Sequence, residues 1–294
     1  MSAPTHCSGL ADLAERYSSF IVDQWGVLHD GEAPYPDAID CLKRLRAAGR
    51  RIVLLSNSGK RASVNVARLR AMGIGDDLYD AVVTSGEAAW TALAERTDPF
   101  FAGLGRHCIL WARYGDRSVV DGLPLEVADS VDDAEFILLA GTEDHMTLDD
   151  FAGTLERGAR RGLPMVCANP DVVAVQPGGG FGMAPGAVAR RYEELGGRVG
   201  YVGKPHRPVY ELCLARLGRP PVAEIVAVGD SLAHDVAGAA AMGIDAALVV
   251  AGIHADDLDL EMDRAGLHAA LARLREEHGV LPRWLLPHFR WSDG

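Results

Sequence analysis

Short β-rich apolar runs alternate with longer stretches of helical periodicity along this chain, and that alternation points to parallel strands joined by crossover helices. FIVD (20–23) reads as a first strand. From Pro36 the apolar Ala38, Cys41, Leu42, Leu45 and Ala48 recur at helical spacing up to Gly49, a residue suited to the position just past a helix end. RIVLLS (51–56) is then a buried strand, followed by a helix to Met72 that Gly73 stops. AVVTS (81–85) is a third strand, with a helix starting at Ser85 and Glu87 in its first turn. Towards the other end VYELCLARLG (209–218) reads as a helix, and EIVAVGD (224–230) and AALVV (246–250) as strands.

Between these halves the stretch from 88 to 200 has its own rhythm. It holds strand candidates CILWAR (108–113), EFILLAG (135–141) and PMVCAN (164–169), a helical TLDDFAGTLERGARRG (147–162) and a glycine-rich turn, QPGGGFGMAPG (176–186). The expected architecture is α/β: a doubly wound, Rossmann-like parallel-sheet core from residues 1–87 and 201–294, with an inserted α/β cap domain from 88–200.

In such sheets ligands sit outside the carboxyl ends of the strands, so residues at strand ends are placed for chemistry. Asp23 follows FIV, Ser56-Asn57 follow IVLL, and Gly229-Asp230 follow IVAV. A strand-end aspartate can attack phosphorus and split one hard hydrolysis into two easier steps. Attack of one anion on another needs a cation, and Mg²⁺ prefers hard oxygen ligands, here the carboxylates of Asp23 and Asp230. Asp235 either joins that site or holds Lys204. The Ser56 hydroxyl, the backbone amides of Ser56 and Asn57, and the Lys204 ammonium are candidate phosphoryl-binding groups. Cys7, Cys41, Cys108, Cys167 and Cys213 are odd in number, dispersed and free of Cys-x-x-Cys spacing, so neither a disulfide framework nor a zinc site is expected. A net charge of −12 with no Lys/Arg block argues against a nucleic-acid partner. No signal-type N-terminus or membrane-length apolar run is visible, so a cytoplasmic protein without a membrane partner is expected.

DQWGVLHDG, LLSNSGK, VGKPHRPVY and VGDSLAHDVAGA resemble the four motifs of the haloacid dehalogenase superfamily, and the cap placement with VVTSGEAA and CANPDVV resembles its NagD-like class IIA branch. The resemblance spans residues 18–253 and implies a class II cap. It makes Asp23 nucleophile and Mg²⁺ ligand, gives the phosphate to Ser56 and Asn57, makes Lys204 the charge-stabilising lysine, and assigns the metal to Asp230 and Asp235 with the backbone carbonyl of Trp25. Asn169-Pro170-Asp171 matches a cap loop that helps choose substrate; an Asx-Pro turn explains it equally well.

Trp25 departs from the pattern. Family phosphatases place a second aspartate there, as general acid and then general base, and indole does neither. His29 is the nearby candidate to exchange the proton. Three functions follow: a Mg²⁺-dependent phosphatase of a small phosphorylated metabolite, a hydrolase of another bond through an Asp23 ester, or a phosphate binder with little turnover. The sequence leaves monomer and homo-oligomer open. The aromatic tail VLPRWLLPHFRWSDG (280–294) is expected to pack on its own core.

Overall fold

The computed structural model describes residues 3–175 and 181–292. Residues 176–180 of the expected glycine-rich turn lie outside the described residues. Two compact units emerge, one of residues 1–56, 66–83 and 210–294, the other of 57–65 and 84–209.

The first unit is built on a seven-stranded sheet. Across it run Thr5–His6, Trp284–Leu286, Asp245–Val249, Ile225–Gly229, Ser19–Asp23, Arg51–Ser56 and Ala81–Thr84. Ser19–Asp23 pairs in parallel with Ile225–Gly229 on one side and Arg51–Ser56 on the other. All residues of both Ser19–Asp23 and Ile225–Gly229 are buried, as expected of parallel strands covered on both faces. That is why their sequences read as continuous apolar runs rather than alternating ones.

Two strands of this sheet were not apparent from periodicity. Trp284–Leu286 pairs in parallel with both Asp245–Val249 and Thr5–His6, so the aromatic tail packs on its own unit by extending the sheet. Trp284 Nε1 donates to the Tyr17 hydroxyl at 2.9 Å, and that hydroxyl donates to Asp245 Oδ2 at 2.6 Å. Burial and the Asp245 bond push the Tyr17 hydroxyl up to about 12, so it keeps its proton and the chain of hydrogen bonds persists.

In the second unit, a parallel sheet runs in the order Arg198–Tyr201, Pro164–Cys167, Phe136–Leu139, His107–Trp111 and Glu126–Val127. Ile137, Leu139, Met165 and Cys167 share a core with Phe151 and Leu155 of the helix Leu148–Arg160 and Val188 and Tyr192 of the helix Pro185–Glu194. The former helix opens on a reciprocal capping box between Thr147 and Asp150. All five cysteines are buried and unbridged. Among the described residues no helix is long and apolar enough to cross a membrane.

Candidate active site

Adjacent strand ends bring three carboxylates together. Val228 lies opposite Val22 in the ladder, so Asp23, which ends one strand, and Asp230, one residue beyond the other, emerge side by side. Asp235 follows on a wide helical turn, Leu232–Val236, a geometry that recurs at functional sites. Asp23, Asp230 and Asp235 are all buried, and each offers an oxygen within 4.8 Å of the others.

The surrounding backbone is shaped to this cluster. Gly26 has φ +78°, and the Asp230 carboxylate fills the space a side chain would need there; Gly252 is crowded by Asp230 in the same way. Ile253 N–H donates to Asp230 Oδ2 at 3.2 Å, and Ser231 N–H donates to Asp235 Oδ2 at 3.2 Å. Three carboxylates gathered out of water repel one another and call for a cation. The cluster contains oxygen donors and no sulfur or imidazole, which suits a hard ion such as Mg²⁺.

A second cluster belongs to the other unit and is a hydrogen-bond bracket centred on Asn57. Its Oδ1 accepts from the Lys204 backbone N–H at 2.7 Å and from the Ser85 hydroxyl at 3.1 Å. Its Nδ2 donates to the Lys204 carbonyl at 3.2 Å and to Asp171 Oδ1 at 2.7 Å. Both donors and both lone pairs of the amide are thereby used. The Asn57 side chain thus holds other residues, and what it has left for a ligand is its backbone amide. Lys204 is buried and precedes Pro205 through a cis peptide bond. The Asn169 side chain accepts from Asp171 N–H at 3.0 Å, so the Asx turn is present, and the same loop also reaches the bracket through Asp171.

Ser56 closes the strand Arg51–Ser56 in the first unit, and the boundary between units falls directly after it. The two residues expected to share a phosphate therefore belong to different compact bodies. Ser85 had no sequence signal beyond its helix start, yet its hydroxyl completes the bracket.

Trp25 is 39 % exposed, whereas His29 is buried. Their rings meet edge to face with centroids 6.0 Å apart. His29 Nδ1 accepts the Gly31 N–H at 3.1 Å, leaving Nε2 to carry the proton of the neutral ring. Burial, with a smaller contribution from the nearby Arg68 cation, pushes the imidazole down to about 4. Near neutral pH the ring is uncharged and one of its nitrogens is engaged in the turn, which gives His29 a structural job. Arg68, on the helix Ala62–Ala71, also escaped the sequence reading: its guanidinium lies 5.9 Å from the centroid of the Trp25 ring and donates to the Gly31 carbonyl.

Residues 20–124 match a family described as haloacid dehalogenase-like hydrolase, and residues 201–276 match a related family of hydrolases of the same type. A hydrolase of the haloacid dehalogenase-like family from Brucella suis 1330 shares 32 % identity, with 96 % of this chain and 99 % of that one covered and a TM-score of 0.79. A p-nitrophenyl phosphatase from Archaeoglobus fulgidus aligns over 93 % of this chain and 97 % of its own at 23 % identity and TM-score 0.71. NagD from E. coli K-12 aligns over 94 % and 98 % at 22 % identity and TM-score 0.69. A comparison with curated protein sequences found no match.

Proposed function

The chain belongs to the haloacid dehalogenase-like hydrolase family, and on that premise we propose that it is a Mg²⁺-dependent phosphatase of a small phosphorylated metabolite, working through an aspartyl-phosphate on Asp23. The buried Asp23, Asp230 and Asp235 cluster carries this reading, because two carboxylates at adjoining strand ends and a third on the helical turn that follows make sense around a hard cation facing a phosphate. Fold neighbours that include a p-nitrophenyl phosphatase support phosphate esters as the substrate class.

Asp23, Asp230 and Asp235, with the Trp25 backbone carbonyl, would hold the metal, which when bound neutralises charge on the transferring phosphoryl oxygens. One carboxylate oxygen of Asp23 attacks phosphorus and the ester oxygen leaves. Water then attacks the aspartyl-phosphate, releasing inorganic phosphate and restoring the carboxylate. The Ser56 hydroxyl, the backbone amides of Ser56 and Asn57 and the Lys204 ammonium take the phosphoryl oxygens. The inserted unit acts as the cap, and its Asn169 and Asp171 loop contributes to substrate choice.

Neither Trp25 nor the neutral, engaged His29 protonates a leaving group in this scheme. Acid–base assistance is worth about 10²–10⁴ in rate, so aryl phosphates, whose leaving groups need no proton, should turn over faster than alkyl phosphates by a margin of that order. Trp25→Asp should raise alkyl turnover more than aryl turnover. The test is a screen of phosphorylated metabolites with and without Mg²⁺, with p-nitrophenyl and glycerol phosphates as the aryl and alkyl probes. Rapid, comparable turnover of both probes that persists in His29→Ala would show that another residue supplies the proton. Absence of Mg²⁺-dependent turnover across the screen would reject the phosphatase reading.

A further inference from the structure

The place where a proton donor is expected is occupied by an aromatic ring with a cation over it. Trp25 is bracketed in sequence by Asp23, a member of the carboxylate cluster, and by Gly26, which lies against Asp230. Its indole edge crosses Gly31, which has φ +99° and no space for a side chain. Arg68 is anchored at the same spot through the Gly31 carbonyl and stands 5.9 Å from the indole centroid. Arg70, on the same helix, is paired with Asp76, and Arg44, Arg46 and Arg61 each pair with a carboxylate. Among the described residues Arg68 pairs with no carboxylate, and its one hydrogen bond is to Gly31. In a chain of net charge −12, a fixed arginine without a carboxylate beside the nucleophile's loop keeps its donors for an anion from outside.

We propose that Arg68 and Trp25 form the leaving-group subsite of this hydrolase, and that its substrates are small phosphoric anhydrides whose leaving group departs as a carboxylate or phosphate anion. The inference rests on the phosphatase reading above and narrows its substrate class. An alkoxide must be protonated as it leaves, whereas these oxyanions are stable near neutral pH and need only a countercharge. The planar fork of a guanidinium matches the paired oxygens of a carboxylate or phosphate. In the first step an Asp23 oxygen bonds to phosphorus, the bond from phosphorus to the bridging oxygen breaks, and its electron pair leaves with the carboxylate or phosphate towards Arg68. In the second, water attacks the phosphorus, the Asp23 carboxylate departs, and hydrogen phosphate and one proton are released. Trp25 gives the leaving group an apolar wall that accepts no proton.

Acetyl phosphate and inorganic pyrophosphate are the probes for the two anion sources, assayed with Mg²⁺ beside p-nitrophenyl phosphate and glycerol phosphate. A charge-assisted hydrogen bond to a developing anion is worth on the order of tenfold to a hundredfold, so Arg68→Met should lower kcat/KM by that factor on the anhydride the enzyme uses. On p-nitrophenyl phosphate, whose leaving phenolate has one oxygen and spreads its charge into the ring, the loss should stay below about threefold. Added guanidinium should restore part of the anhydride turnover in Arg68→Ala, an effect a merely structural arginine would not produce. Acetyl phosphate as the better substrate identifies a carboxylate leaving group, and pyrophosphate a phosphate. Equal losses on every substrate without rescue, unchanged anhydride turnover in Arg68→Met, or anhydrides turned over no faster than glycerol phosphate would each overturn the proposal. Asp23→Asn separates the two readings: if p-nitrophenyl phosphate turnover survives it, the aspartyl-phosphate mechanism fails, and if turnover depends on Asp23 but shows no selective Arg68 effect, this inference alone fails.

Discussion

The carboxylate cluster of the first unit and the Asn57 bracket of the second are held by opposite means. Asp23, Asp230 and Asp235 are placed by the ladder between two fully buried strands and by glycines that let the backbone close on Asp230. They accept backbone N–H groups from Ile253 and Ser231, and their oxygens lie within 4.8 Å of one another. The bracket has no such ladder behind it. Asn57, Ser85, Lys204 and Asp171 come from separate segments, and the Asn57 amide ties them together with four hydrogen bonds. The first arrangement concentrates negative charge at strand ends; the second spends the Asn57 amide on rigidity.

That contrast is broken most forcefully at Asp230. Asp230→Asn removes one of the gathered charges, so Mg²⁺ affinity by calorimetry and phosphatase turnover should fall together, turnover by about 10² or more given what preorganised electrostatics contribute to such sites. Unchanged Mg²⁺ affinity would take Asp230 out of the metal site.

An intermediate effect is expected at Asn57. Asn57→Ala breaks the hydrogen bonds to the Lys204 backbone N–H and carbonyl and to the Asp171 carboxylate, which should cost about 2–3 kcal/mol of stability at about 1 kcal/mol for each bond lost. Turnover should drop about tenfold or more through displacement of Lys204, whereas Mg²⁺ affinity should stay within a factor of about three. A parallel fall in Mg²⁺ affinity would mean that cluster and bracket are not independent.

The smallest shift is expected at the outer arm of the bracket. Asp171→Ala removes the hydrogen bond to Asn57 Nδ2 and alters the loop proposed to face substrate, so the ratio of kcat/KM values between two metabolites should change by about three- to tenfold, with Mg²⁺ affinity unchanged. A uniform loss across substrates would reduce Asp171 to a support for Asn57.

Much of this was legible along the chain. The strands Ser19–Asp23, Arg51–Ser56 and Ile225–Gly229 announce themselves as apolar runs, and the three aspartates sit at or just beyond their ends, because periodicity and turn chemistry are properties of neighbouring residues. The sequence by itself thus determined a parallel α/β fold, the order of the motifs and the carboxylate character of the cluster at its strand ends.

Tertiary structure decided what depends on pairing across long separations. Thr5–His6 and Trp284–Leu286 are too short to carry a period, and they become strands by lying beside each other at one end of the open sheet. The fate of polar side chains was equally hidden: that Asn57 has no lone pair left, that His29 is buried and neutral, and that Arg68 stands over Trp25 all depend on which groups the fold brings within hydrogen-bonding range. Residue type sets how many hydrogen bonds a group can make, but only the closed chain decides which of them are already made and which remain for a ligand.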